Sequence, residues 1–373
     1  MNFPRFAQKT ILYLGENDYN KNTITMKKIK KIEAIDLFCG IGGLSYGLRQ
    51  ADINVVAGLD NDKSCSHAYE TNNKCKFISA DISEYDFNEM KKMYSKDSIK
   101  ILVGCAPCQP FSSHTFKTKN KKKDARWNLI NYFVEAVRIL KPDVISMENV
   151  RGITKTDVFG DFVEEIKNLG YEIDFDVVYC PDYGIPQNRS RLVFLGSKLG
   201  KIQVPKKTHT KENYLTVQEI IEHLPEIKSG ETHPKDTLHR AKNLSPLNIK
   251  RIKQSKPKGS WKDWDKKLLP NCYRKKSGQT YTAVYGRMSW DDVSPTITTQ
   301  FFNYGSGRFG HPEQNRALSV REGSLLQTFP ENYDFGEVTS MATIGKHIGN
   351  AVPPRLGQVI GETIKEHIKN YYG

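Results

Sequence analysis

The sequence predicts an α/β fold, and three observations carry that prediction. From Ile32 onward, short apolar runs alternate with stretches of helical period, the pattern of a sheet covered by helices. The first run, Ile32 to Phe38, passes through the glycine turn Cys39-Gly40-Ile41-Gly42-Gly43 into a helix that starts at Leu44. After Pro330 the same style returns: Ile348 to Pro354 precedes an amphipathic helix, Leu356 to Ile368, expected to pack beside that turn. The large domain is therefore expected to be discontinuous.

Taken in order, residues 1–30 are polar, rich in Lys and Asn and without a period, and read as a leader outside the core. Met26, followed by Lys27-Lys28-Ile29-Lys30-Lys31, would make an ordinary alternative start. Strands follow at Ile32 to Phe38, Val55 to Leu59 ending at Asp60, and Phe77-Ile78 ending at Asp81-Ile82. The run Ile101-Leu102-Val103 reads as a buried strand opening into the loop Gly104 to Ser112. A helix over Trp127 to Leu140 places Leu129, Phe133, Val137 and Leu140 on one core face. Val144 to Met147 is a strand with Glu148 just after it, and Leu192 to Leu195 is another. The expected organisation is a leader (1–30), a first catalytic part (31–198), a basic reading domain (199–330) and a second catalytic part (331–373).

The chain has 373 residues, a formal charge of +14 and a pI near 9.2, which points to a polyanionic partner. Most of that excess lies between Lys198 and Thr280, where 20 Lys or Arg face 8 Asp or Glu. Trp261, Trp264 and Tyr273 interleave the positive charges there, so this segment is expected to contact phosphates and base edges. Seven irregularly spaced cysteines argue against a disulfide framework and for a reducing compartment. No apolar run approaches the roughly 18 residues that span a membrane, and no signal peptide is visible, so a cytosolic protein is expected.

The chemistry concentrates in Gly104-Cys105-Ala106-Pro107-Cys108-Gln109-Pro110-Phe111-Ser112. Pro107 and Pro110 bracket Cys108 and hold its thiol in a stiff turn, as suits a nucleophile. Three other readings stay open: a Cys105/Cys108 redox pair, half of a metal site, and a buried structural cysteine. A zinc site needs about four ligands, and no second pair at ligand spacing occurs nearby, so no metal is expected. A strand, glycine turn and helix bring backbone N–H groups to a nucleotide-like ligand. The dinucleotide fingerprint would need glycine where Ser45 stands, which disfavours a nicotinamide or flavin cofactor. Asp60 is placed to accept from ribose hydroxyls, Asp81 to meet an adenine amine and Ile82 to cover its ring. Together they favour an adenosine ligand.

With these residues in view, the chain resembles the cytosine carbon-5 DNA methyltransferases, of the bacterial type found in type II restriction-modification systems. Asp36-Leu37-Phe38-Cys39-Gly40-Ile41-Gly42-Gly43 is similar to their first motif and Gly104 to Ser112 to their proline-cysteine motif. Glu148-Asn149-Val150, Gln187-Asn188-Arg189-Ser190-Arg191, Arg316 to Pro330 and Gly349-Asn350-Ala351-Val352-Pro353-Pro354 follow in the family's order. The resemblance implies a class I methyltransferase with a Rossmann-like, mostly parallel sheet and a smaller target-recognition domain. It implies S-adenosylmethionine as cofactor, bound by Phe38, Gly40, Ile41, Gly42, Asp60, Asn61, Asp81, Ile82, Pro107, Leu129, Asn350 and Ala351. It implies Cys108, Glu148, Arg189 and Arg191 as catalytic residues and Gln109, Ser112 and Gln187 as substrate contacts. The implied partner is double-stranded DNA, bound by a monomer, with a cognate restriction endonuclease alongside.

The residues are equal to that chemistry. A thiolate adding to carbon 6 turns cytosine into an enamine nucleophilic at carbon 5, and a carboxylic acid kept protonated by burial can serve ring nitrogen 3. Arg189 and Arg191 alternate through Ser190 toward one face, one suited to the base's oxygen 2 and the other to the catalytic loop or a phosphate; by resemblance Arg191 is the base contact. Lys117, Lys119, Lys121, Lys122 and Lys123 would let the loop after Cys108 close over DNA. A same-fold transfer-RNA methyltransferase and a silent DNA-binding protein are the competing classes.

Overall fold

A computed structural model describes residues 31–107, 129–275, 278, 280, 282–337 and 340–372. Its centre is a seven-stranded sheet. The strands are β1 (Ile32–Leu37), β2 (Asn54–Asp60), β3 (Lys76–Ser79), β4 (Ile99–Gly104), β5 (Val144–Val150), β6 (Glu172–Tyr179) and, after a two-residue β7 (Gln187–Asn188) outside the sheet, β8 (Ser190–Ser197). Their order is β3-β2-β1-β4-β5-β8-β6. The first five are parallel, and β8 runs antiparallel between β5 and β6. The mostly parallel α/β sheet is as the sequence predicts. The strands read from the sequence are present, each longer by two to four residues except the first, which stops at Leu37 because Phe38 turns into the left-handed region. Glu148 lies inside β5 rather than after it, opposite Val193 of β8.

Helices α1 (Gly43–Gln50), α2 (Ser66–Asn73), α3 (Phe87–Lys91), α4 (Leu129–Leu140) and α5 (Asp157–Asn168) connect and cover these strands. One core, holding Ile35, Leu102, Phe133, Ile145 and Phe194, joins α4 and α5 to one face of the sheet. The other face carries Ala34, Val103 and Val193 against α1 and the C-terminal helix α10 (Pro354–Tyr372), whose Leu356, Ile360 and Ile364 are buried. That helix returns to the first domain as expected. Its approach is close enough that a Cβ on Gly47 would collide with the Pro354 carbonyl oxygen.

Between Ser197 and α10 the chain forms α6 (Val217–Ile221), a small β9 (Thr232–His233) and β10 (Asp236–Arg240) hairpin, α7 (Pro246–Gln254), β11 (Ser294–Pro295), α8 (Val320–Leu326) and α9 (Met341–Asn350). β11 pairs with β7, fastening this segment to the sheet domain. A third core contains Ile41 and Tyr69 together with Ile297, Phe301, Leu326, Phe329 and Ile348, so residues on both sides of position 330 pack around the glycine turn. A fourth holds Trp261, Trp264, Tyr273 and Tyr304.

Asp36 lies buried beneath the glycine turn. Its Oδ2 accepts from the Ser45 hydroxyl at 2.7 Å, and that hydroxyl is 2.9 Å from the Tyr69 hydroxyl, while Oδ1 has no partner among the described residues. Burial first, and the nearby Asp60 charge second, push its pKa up to about 7. An acid raised in this way contributes stability fully below its unfolded value and loses it as pH rises through the folded one. Asp36→Asn should therefore gain on the wild type, in urea midpoints, as pH climbs from about 4 to about 7; parallel curves would contradict this. Gly47→Ala should cost ~1–3 kcal/mol because backbone must move. Gly160→Ala, in the exposed middle of α5 with nothing within 4 Å, should be neutral or stabilise by about 1 kcal/mol.

Candidate active site

The carboxyl ends of β1 to β5 all open on one edge of the sheet. Strand order reverses between β1 and β4, so the loops on either side leave for opposite faces and a crevice forms between them. Phe38 to Gly42 follow β1 and Cys105 to Pro107 follow β4, so the two segments flank the point of reversal.

Phe38, Gly40 and Gly42 have φ of +60°, +50° and +87°, which folds the turn tightly enough for the Gly42 N–H to donate to the Cys39 carbonyl. The turn is pinned from below: the Ile41 carbonyl accepts from the Tyr333 hydroxyl, and the Gly42 carbonyl from the Asn73 amide at 3.5 Å. A Cβ on Gly42 would collide with that amide, whereas one built on Gly40 meets nothing within 4 Å. The turn is thus packed at Gly42 and open at Gly40. Asp60, at the end of β2, accepts the Gly40 N–H on Oδ2 and the Asp62 N–H on Oδ1, each at 2.9 Å. Burial raises its pKa, and each oxygen keeps a lone pair for a further donor.

Asn61 and Asp81 are exposed; Asp81 accepts from the backbone and hydroxyl of Ser83, which hold its pKa down. Ile82 is buried in the first core, and Leu129, at the start of α4, packs half-buried against it. Pro107 is exposed at the end of the stem that leaves β4. Asn350 ends α9 on the surface, followed by the half-buried Ala351. These residues fit an adenosine-type methyl donor: an open glycine turn, acids at successive strand ends, and apolar side chains beside them. Asp62, Cys65 and His347 also bring one potential ligand atom each within 4.8 Å of one another, but the Lys346 ammonium, 2.9 Å from Asp62, already supplies the positive charge there.

Cys108, Gln109, Ser112 and the lysine cluster from Lys117 to Lys123 lie outside the described residues. The residues that lead to them, Gly104 to Pro107, are described. Gly104 passes close to β1, where a Cβ would come within 2.8 Å of the Leu37 carbonyl oxygen. The Asn149 amide donates to the Ala106 carbonyl at 3.1 Å, tying the stem to β5 one residue before Pro107. Glu148 is 2% exposed. Its Oε2 accepts from the Cys105 thiol at 2.9 Å, and Oε1 lies 3.0 Å from Arg191 Nε without a well-directed hydrogen bond. Burial and the adjacent Glu148 charge push the Cys105 pKa far up, so this thiol stays protonated and donates.

Arg189 and Arg191 do converge near Glu148, but in different states. Arg191, on β8 opposite Val150, is half-buried and also donates to the Ser190 carbonyl at 2.9 Å. Arg189 is 3% exposed and donates to the carbonyls of Ile297 at 3.2 Å and Ala351 at 3.4 Å, and to Gln187 Oε1 at 3.4 Å. Burial, with the neighbouring Arg191 charge, lowers its pKa to about 10. This differs from a guanidinium reaching a phosphate: the closed discontinuous domain covers it. Gln187 is likewise fully buried, donating to Gln327 Oε1 at 2.6 Å and accepting from the Ile297 N–H at 2.8 Å, where the sequence suggested a substrate contact.

The basic segment divides in the same way. Lys253, Lys256, Lys262, Lys266, Lys267 and Arg274 are exposed, as a phosphate-binding surface requires. Trp261, Trp264 and Tyr273 are instead buried, with Trp261 stacked on Tyr273 at 4.6 Å, and form the core of this region rather than its reading surface. Sequence reasoning missed Arg287, which is buried and donates to the carbonyls of Ser255, Ile252, His311 and Gln314. It also missed the Cys105 contact with Glu148; the adjacency of Cys105 to the nucleophile motif was the available signal.

The family profile described as C-5 cytosine-specific DNA methylase matches residues 32–366. The chain is 48% identical over 343 residues to the type II methylase M.HgiDII of Herpetosiphon aurantiacus, covering 91% of this chain and 96% of that one. It is 30% identical to the type II methyltransferase M1.HphI of Haemophilus parahaemolyticus, over 88% of this chain and 86% of the other. Among solved structures, the S. pombe Dnmt2 methyltransferase superposes with a TM-score of 0.62 at 15% identity, covering 91% of this chain and 99% of that one. The Entamoeba histolytica methyltransferase EhMeth superposes at 0.60, also at 15% identity, over 91% and 98%. With the sheet order, the glycine turn and the Glu148 pocket in their places, the match over most of its length shows that this chain belongs to the C-5 cytosine-specific DNA methylases.

Proposed function

We propose that this DNA (cytosine-5-)-methyltransferase acts on a cytosine flipped out of double-stranded DNA, with Cys108 as nucleophile, Glu148 and Arg191 as contacts to the ring, and S-adenosylmethionine as methyl donor. The observation that carries the reading is Glu148: a buried side chain beside Cys105, three residues before Cys108, with Oε2 held and, among the described residues, Oε1 lacking a directed donor. A proton shared between Oε1 and nitrogen 3 of the ring would complete its bonding. Flipping costs about a few kcal/mol, which contacts in the closed complex offset.

S-adenosylmethionine, when bound, supplies an electrophilic methyl group on a sulfonium centre. Gly40, Asp60, Asn61, Asp81, Ile82, Pro107, Leu129 and Asn350 would hold it, with Phe38, Ile41, Gly42 and Ala351 shaping the pocket. The Cys108 thiolate forms a bond to carbon 6, Glu148 holds the proton at nitrogen 3, and Arg191 donates to oxygen 2. Carbon 5 of the enamine would then take the methyl group as the donor's carbon–sulfur bond breaks, and loss of the carbon-5 proton to solvent water acting as base would expel Cys108 as its thiolate. Arg189 and Gln187 act one step back, holding β8 and the segment around Ile297 in place. The exposed lysines of the region after Leu199 hold the DNA backbone, and residues 199–330 carry target recognition. Similarity to type II methylases supports a modification role in a bacterial restriction-modification pair; a cytosolic monomer is part of the same proposal.

Cys108→Ala should abolish transfer of labelled methyl groups to duplex DNA yet leave DNA binding intact; surviving turnover would remove Cys108 as the nucleophile. Glu148→Gln should slow single-turnover transfer by roughly 10²-fold or more without weakening S-adenosylmethionine binding in calorimetry. An unchanged rate would count against Glu148. DNA affinity should fall on the order of 10³-fold or more between 50 and 200 mM salt if six or more phosphates are neutralised, and a flat dependence would contradict the basic surface.

A further inference from the structure

Among the described residues, Glu148 is contacted by two side chains from neighbouring strand ends, and one of them, Arg191, is implicated by its motif. The other is Cys105, at the mouth of β4, whose Sγ lies 2.9 Å from Oε2. The Cys105 N–H donates to the Leu37 carbonyl at 3.3 Å, which fixes the backbone from which the thiol reaches Glu148. Next to it, Asn149 anchors Ala106. The thiol and the stem are therefore positioned together against β5.

We propose that Cys105 is a positioning residue for the methyl transfer, holding Oε2 of Glu148 through its S–H so that Oε1 is presented to nitrogen 3 of the flipped cytosine. This inference rests on the assignment of Glu148 as the ring contact. Its physical basis is the asymmetry of the two oxygens. A carboxyl group rotates about its last side-chain bond with little resistance, and that torsion is broad rather than staggered. Fixing one oxygen fixes the plane, and so the direction of the other. Arg191 does not fix it alone, because its Nε–H is not aimed at Oε1. A thiol suits this role because it is a weak donor, stays protonated here, and excludes the water that would otherwise solvate Oε2.

The test is a double-mutant cycle in single-turnover methylation of duplex DNA, using Cys105→Ala, Cys105→Ser, Glu148→Gln and the combination of Cys105→Ala with Glu148→Gln. Cys105→Ala should slow transfer about three- to tenfold, as expected for one modest hydrogen bond to a charged group. Cys105→Ser, which keeps a donor, should recover most of that loss. In the Glu148→Gln background, Cys105→Ala should add little, because the thiol acts through the carboxylate. S-adenosylmethionine affinity and thermal midpoint, read on each variant, confirm folding. A wild-type rate in Cys105→Ala, equal losses in the Ala and Ser variants, or a full additive loss on top of Glu148→Gln would each overturn the inference. A wild-type rate in Glu148→Gln would instead remove the assignment on which it stands.

Discussion

A buried cluster of two amides and a guanidinium holds the discontinuous domain closed. Gln187 and Arg189 precede β8, Gln327 follows α8, and between them they bind one another and the backbone of Leu326, Ile297, Ile348 and Ala351. The partners of Arg189 are up to 162 residues away in sequence. Buried donors and acceptors are costly when unpaired, so each member depends on the presence of the others. This is why the chain can leave the sheet after Ser197, build a basic region, and still return α9 and α10 to the glycine turn. The cluster also sets the active site, because it fixes the start of β8 and hence Arg191 beside Glu148.

A second constraint acts at the sheet edge. Five parallel strands bring the open glycine turn, Asp60, Asp81, Cys105 and Glu148 to one side, and strand order reverses between β1, which leads into the glycine turn, and β4, which leads to Cys105. The acids do not act alike. Asp60 is occupied by two backbone amides, Asp81 caps its own turn, Asp36 is buried beneath the turn with one oxygen unpartnered, and Glu148 alone among these acids faces the stem of the Cys108 loop.

The strands and helices were legible because their signals are local: apolar runs, glycine at a turn, a helical stripe from Leu129 to Leu140. Glu148, the glycine turn and the return of the C-terminal helix were legible from motif order. What could not be read was burial created by distant segments. Arg189 and Gln187 look like surface contacts in a short polar motif, yet Ile297, Gln327 and Ala351 close over them. Trp261, Trp264 and Tyr273 sit among lysines in sequence, but a region that must make its own small core uses its aromatics there first. The place of Cys105 in the proline-cysteine motif was the one hint of its contact with Glu148, which itself depends on the register of β4 with β5.

Cys108 and Glu148 acting together to methylate carbon 5 of cytosine within a defined DNA sequence is the central claim. Bisulfite sequencing of DNA from cells expressing the protein measures this directly, reading activity and target at once. The expected result is protected cytosines confined to one short recurring sequence context, and none in cells expressing the Cys108→Ala form. Unmodified DNA from cells with abundant, folded wild-type protein, or the same protection pattern with Cys108→Ala, would contradict it.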